Sequence, residues 1–114
     1  MSIFKDILNV LRQQGIGPLI PVKEGQNQYG LTVSDDVISL SVPPGAVHAD
    51  IYVRTASVVF TRDRSAPTST RGLQADPSDI IVLDSHAEMV AFRAIRAAAV
   101  DATVDAEYFY RLAS

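Results

Sequence analysis

Thr103-Val104-Asp105-Ala106-Glu107-Tyr108-Phe109-Tyr110 decides the fold class of this chain. Val104, Ala106, Tyr108 and Tyr110 fall on every second position against Asp105, Glu107 and Phe109, the period of a strand with one buried and one wet face. The same period recurs upstream. Ile51 and Val53 alternate with Tyr52 and Arg54, Leu31 and Val33 flank Thr32, and Ile38, Leu40 and Val42 alternate with Ser39 and Ser41. Asp35-Asp36 reads as a turn, and Pro43-Pro44-Gly45 ends a run because proline cannot donate to a ladder. Two runs are apolar throughout: Ser57-Val58-Val59-Phe60 reads as a more central strand, and Ile80-Ile81-Val82-Leu83 as a short buried one. Between them, residues 61–79 form a long polar loop with Gly72-Leu73 as its apolar foothold. The pattern describes a small, mainly β scaffold.

Two segments depart from that period. In residues 3–14, Ile3, Phe4, Ile7, Leu8 and Leu11 recur at helical spacing, Ser2 stands where an N-cap is expected and Gly15 supplies the stop. A helix of this length is too short to be stable alone in water, so its apolar stripe must dock, on its own domain or on a partner. Residues 15–27 read as a connector with a short extended piece at 19–22, which divides the chain into residues 1–27, helix and connector, and residues 28–114, the β domain. The second segment follows Ser85-His86-Ala87-Glu88, a capping-box pattern. Met89, Phe92, Ile95 and Ala99 favour a helix there on local grounds. The competing reading is a strand over 90–97 that forms a hairpin with 103–110 across a turn at Asp101.

Composition narrows the function classes. A chain of 114 residues is one domain that buries roughly two thirds of its unfolded surface. Cysteine is absent, which fits assembly in a reducing cytoplasm and removes thiolate metal sites and cysteine nucleophiles. Thirteen acidic and ten basic residues give a net charge of −3, so no global field gathers a nucleic acid. The start lacks the pattern of a secretory leader, and no apolar run is long enough to span a membrane. Neither nucleic acid nor membrane is an expected partner.

The residues that could carry chemistry have plainer readings. Asp84, Ser85 and His86 are the types of a hydrolase triad, but neighbours in sequence cannot form its line of hydrogen bonds, and capping accounts for the serine. His86 with Glu88 or His48 lacks a spaced third metal ligand. The aspartates sit at expected turns, where the side chain bonds the backbone two residues on. No glycine-rich phosphate cradle or calcium loop is present, and no metal or cofactor is expected. Arg54, Arg62, Arg64 and Arg71 gather around the long loop, with Asp63 between two of them, as a solvated or protein-facing rim.

From about Val37 to Tyr110 the chain resembles a family of small virion proteins of tailed phages. The residues that carry the resemblance are Val42-Pro43-Pro44-Gly45-Ala46-Val47-His48-Ala49, Ile51-Tyr52-Val53-Arg54-Thr55-Ala56, Val58-Val59-Phe60-Thr61-Arg62-Asp63, Ala66-Pro67-Thr68-Ser69, Ala91-Phe92-Arg93-Ala94-Ile95-Arg96 and Thr103-Val104-Asp105-Ala106-Glu107-Tyr108. It departs from the family pattern at Pro43-Pro44-Gly45 and in lacking Asp-Gly before Ala66. The resemblance implies a β-sandwich or jelly-roll-like domain without enzymatic activity. Such a protein decorates or cements a capsid in the virion, is made in the host cytoplasm, binds the major capsid protein and associates as a dimer or trimer. It tips residues 90–97 towards the strand. The alternative role is a head–tail or tail-fibre-base component that acts as a ligand- or carbohydrate-binding module. The interface expected on either account comprises Ile3, Phe4, Ile7, Leu8 and Leu11 of the helix with Arg62, Asp63, Arg64 and Arg71 of the loop.

Overall fold

The computed structural model describes residues 18–111, so the helix read at residues 3–14 lies outside the described residues. The described chain runs β1 (Leu19–Pro21), β2 (Gln28–Val33), β3 (His48–Val53), β4 (Val58–Thr61), β5 (Leu73–Ala75), β6 (Ile80–Leu83), α1 (His86–Ala91), β7 (Arg93–Arg96) and β8 (Ala102–Arg111). The alternation at the end of the chain is realised through Tyr108, and Tyr110 packs partly buried against the core. β8 is ten residues long and buries Ala102, Val104, Ala106 and Tyr108 while the residues between them stay partly exposed.

β8 is the spine of a five-stranded antiparallel sheet. One of its edges pairs with β3, from His48 opposite Phe109 to Val53 opposite Val104, and β6 pairs with the far side of β3. Its other edge is shared end to end by β2 and β1, with Val33 opposite Ala102 and Leu19 opposite Arg111. A second antiparallel sheet has the order β5-β4-β7, and β4 at its centre is buried at all four positions, as its uninterrupted apolar run requires. Side chains from both sheets, among them Val33, Ile51, Val58, Phe60, Leu83 and Tyr108, join one core.

The residues at and just before the start of β2 clamp the spine. Gln28 Oε1 accepts from the Tyr108 hydroxyl, Asn27 Oδ1 from the Tyr108 backbone N–H at 2.8 Å, and Gln26 Oε1 from the Tyr110 hydroxyl at 3.0 Å. Tyr108 is completely buried, and burial pushes its phenol up, so the group stays neutral and keeps donating. Gly30, at φ 70°, interrupts the β2–β8 register between Gln28 and Leu31 as a bulge.

Four sequence expectations are corrected. Ile38, Leu40 and Val42 do alternate inward onto the core, but they form no strand; Ile38 alone makes a bridge, to Ala94. Ile80-Ile81-Val82-Leu83 is not buried throughout: Ile81 and Leu83 face the core while Ile80 and Val82 are exposed, because they lie on the outer face of the large sheet, opposite Tyr52 and Asp50. The segment after Ser85 is neither a continuous helix nor a strand over 90–97. Ser85 caps α1 by accepting from the Glu88 N–H at 3.1 Å, α1 stops at Ala91, and β7 begins at Arg93. The hinge is Phe92, whose backbone is extended (φ −66°, ψ 135°) and whose ring stacks on Phe60 at 5.8 Å. Met89 and Phe92 are buried at a spacing of three, Phe92 and Ala94 at a spacing of two, so the period itself changes at this residue. Finally, β7 pairs with β4, Phe60 standing opposite Ala94, and not with β8 as a hairpin would demand. Both edges of β8 are already taken by β3 and by β1 with β2.

The two sheets meet differently along their two sides. On one, the chain leaving β2 crosses to β7: Ile38 and Ala94 exchange N–H···O bonds of 3.0 and 3.1 Å, and the Arg96 N–H donates to Ser34 O at 2.9 Å. On the other side β5 and β6 follow each other through the turn at 76–79 but are not paired, and a groove separates them.

Candidate interaction site

β4 ends at Thr61, and the chain beyond it is folded back by its own polar side chains. The Thr61 hydroxyl donates to Ser65 O at 2.6 Å, and Asp63 Oδ1 accepts from both the N–H and the hydroxyl of Ser65. This is the turn chemistry that aspartate favours. These bonds, the one from the Ser65 hydroxyl first, hold the Asp63 carboxyl below its usual range, so it stays charged. Arg64 adopts a left-handed backbone (φ 70°) and its N–H donates to Ala91 O at 2.9 Å, which pins the loop to the end of α1. Thr68 and Arg71 then close a second turn through mutual backbone bonds of 3.0 and 3.2 Å.

Gly72 brings the chain back against β4 to start β5. Its φ is 132°, and a Cβ there would stand 2.7 Å from Val59 Cγ1 and 2.9 Å from Phe60 O, so only glycine fits. The result is a cleft of about 500 Å³ lined by Phe60, Arg62, Asp63, Ser65, Arg71 and Leu73, among others. Leu73 is 51% exposed.

The rim of this cleft is basic. Arg62 is the nearest cation to Glu88, at 3.9 Å, and about half of its side chain is in solvent. Arg71 acts on Asp63 through space, and Arg64 makes no ion pair among the described residues. Two guanidiniums, of Arg62 and Arg71, thus stand at the cleft with two carboxylates, one of which is occupied by Ser65. Such a rim offers planar, multi-donor recognition of carboxylates or phosphates on a partner, with Phe60 and Leu73 as the apolar contact beneath.

Of the expected interface, Arg62, Asp63 and Arg71 line this cleft, Arg64 belongs to the same loop but not to the cleft's lining, and Ile3, Phe4, Ile7, Leu8 and Leu11 lie outside the described residues. Arg54 is not part of the cluster. It lies on the outer face of the large sheet, paired with Asp105 at 2.9 Å, and Asp105 also accepts from the Gly30 N–H at 2.7 Å. Sequence reasoning missed Ile80 and Val82, because an apolar edge strand and an apolar buried strand read alike.

The other polar clusters are satisfied internally. Asp84, Ser85 and His86 diverge: Asp84 meets His48 Nδ1 at 3.0 Å, Ser85 caps α1, and His86 Nδ1 donates to Ala46 O at 2.9 Å. His48 stands between Asp84 and Asp50, whose carboxylate is 2.8 Å from Nε2. Loss of water around Tyr52, with Glu107 beside it, pushes that phenol up. No group of three or more His, Asp or Glu among the described residues is arranged to hold a metal ion. No helix among them is long and apolar enough to cross a membrane.

No protein-family model, curated protein or solved structure matches the chain.

Proposed function

We propose that this chain is a non-enzymatic structural protein of a tailed-phage particle, a β-sandwich of jelly-roll-like form that decorates or cements the assembled head by binding the major capsid protein. The observation that carries this reading is the basic rim: Arg62 and Arg71 line one cleft, with Arg64 in the same loop, on a chain whose net charge is −3. Local charge held against the global balance favours an acid-bearing protein surface, and the resemblance of residues 37–110 to phage virion proteins supplies the setting. A protein that binds only the assembled lattice stabilises it by RT ln(1 + [L]/Kd), repeated at every lattice position. The Ile3–Leu11 stripe would supply a second contact, between copies in a dimer or trimer or to the capsid.

The test uses purified particles. Arg62→Glu together with Arg64→Glu is expected to weaken particle binding at least tenfold at low salt, with a smaller difference at high salt and an unchanged melting temperature. Unaltered occupancy would overturn the reading. Counting copies per major capsid subunit by mass spectrometry separates lattice decoration from a ring of about six to twelve copies at a connector.

A second reading has one observation in its favour. Tyr29 is 64% exposed and lies close enough to Tyr52 to act on it electrostatically, which gives the large sheet an aromatic outer face suited to a sugar ring at a tail-fibre base. Glycan binding that Tyr29→Ala abolishes would favour it over the capsid.

A further inference from the structure

The open side of the molecule leaves backbone groups whose direction the ladder fixes. The Arg54 N–H donates to Thr103 O at 2.9 Å, which assigns Arg54, Tyr52, Asp50 and His48 of the β3 run to β8 and leaves Val53, Ile51 and Ala49 bonded towards β6. The Val53 N–H, donating to Asp79 O at 3.0 Å, agrees. Opposite Ile51 and Ala49 stand Ile81 and Leu83, so Ile80 and Val82 aim their N–H and C=O groups away from the sheet. The same two residues carry exposed side chains, at 53% and 43%. A groove of about 290 Å³ runs beside them, lined by Phe60, Gln74 and Ala75 from the other sheet. Asp79 marks the end where β6 begins; Arg62, reaching towards Glu88 in the helix that follows β6, marks the other.

We infer that this seam binds an extended segment of a partner protein by strand addition to β6. The segment forms a ladder with Ile80 and Val82, lays alternate apolar side chains over them and into the groove against Phe60, and places a carboxylate at the Arg62 end. This rests on the reading of the Arg62 rim as partner-facing and names how the partner is held. Charge complementarity selects the occupant, because Arg62 lines the groove with about half of its side chain in solvent. A second copy fits poorly. Paired with itself, a four-residue edge falls well short of the roughly 800 Å² per partner of a stable complex.

The test uses the full chain and a short synthetic peptide that alternates valine with threonine and carries two glutamates at one end. A control peptide is N-methylated at alternate residues, which removes its ladder donors. The first peptide is expected to bind at micromolar to millimolar concentration and to slow amide exchange at Ile80 and Val82 at least tenfold; the control should bind at least tenfold more weakly. Val82→Pro, which removes an outward N–H, should weaken binding about tenfold with the melting temperature unchanged. No binding at millimolar peptide, unchanged binding to Val82→Pro, or protection elsewhere would overturn strand addition. So would a dimer seen by sedimentation that Val82→Pro abolishes, since the occupant would then be a second copy. If Arg62→Glu weakens the peptide and Val82→Pro does not, the basic rim stands and strand addition falls.

Discussion

The two sides of this molecule solve the same problem in opposite ways. Where β2 leaves the large sheet, Ser34 and Ile38 give their backbone groups to Arg96 and Ala94, so the free edge of β7 is consumed and the sheets are tied. Where β5 gives way to β6, the chain crosses between the sheets in the turn at 76–79, and the outer edges of both strands stay unpaired among the described residues. Natural sheets usually blunt such edges with charge, proline or a bulge, because an open apolar edge recruits other chains. Here the edge carries Ile80 and Val82, and the loop that bounds it carries three arginines. Satisfied backbone marks one side; leftover backbone beside apolar side chains and a cation marks the other.

The largest expected effect tests whether the open side is tolerant throughout. Gly72→Ala should destabilise by about 2–4 kcal/mol, since the new Cβ meets Val59 and Phe60 at a positive φ. Thermal or urea unfolding measures it, and a change below about 0.5 kcal/mol would mean that β5 is not pressed on β4 as described. A pair of prolines then sets the two sides against each other. Ile38→Pro removes the donor to Ala94 O and should cost about 2 kcal/mol. Val82→Pro removes a donor that points to solvent and should stay within about 0.5 kcal/mol. Equal losses would erase the distinction.

The smallest effect is one of pH, and it too belongs to the open side. Asp76 is held below the usual carboxylate value by bonds from the Gln74 amide at 2.9 Å and the Ser57 hydroxyl at 2.7 Å, and Asp63 by its bonds from Ser65. A carboxyl whose folded value is lowered stabilises the fold above the unfolded value near 3.8 and loses that contribution as the pH falls below it. Unfolding measured from pH 6 down to 3 should therefore show a loss that Asp76→Asn and Asp63→Asn each reduce. An unchanged profile in both variants would remove these carboxylates from the account.

Period two in residues 103–110 was enough to place the inner and outer faces of β8, because burial of alternate side chains is a local property of a strand. The N-cap at Ser85 and the turn at Asp63 were legible for the same reason, since each bond spans three residues or fewer. The basic rim was half legible. Arg62, Arg64 and Arg71 could be gathered by their loop, but Arg54 looked like a fourth member until Asp105, fifty-one residues away in sequence, claimed it.

What the sequence by itself determined is the mainly β class, the inward residues of the alternating runs, and the local turns and caps. All of these depend on interactions within a few residues. What only the tertiary structure decided is which edge each strand joins. The run 38–42 has strand alternation, yet one bridge, because its neighbour in space offers Ala94 alone; β7 goes to β4 because β8 has no edge left; and the backbone groups of Ile80 and Val82 stay unpaired because β6 has one neighbour instead of two. Backbone pairing is a long-range competition for donors and acceptors that every residue carries alike, so side-chain pattern cannot rank the outcomes. The groove on the open side is what that competition leaves over.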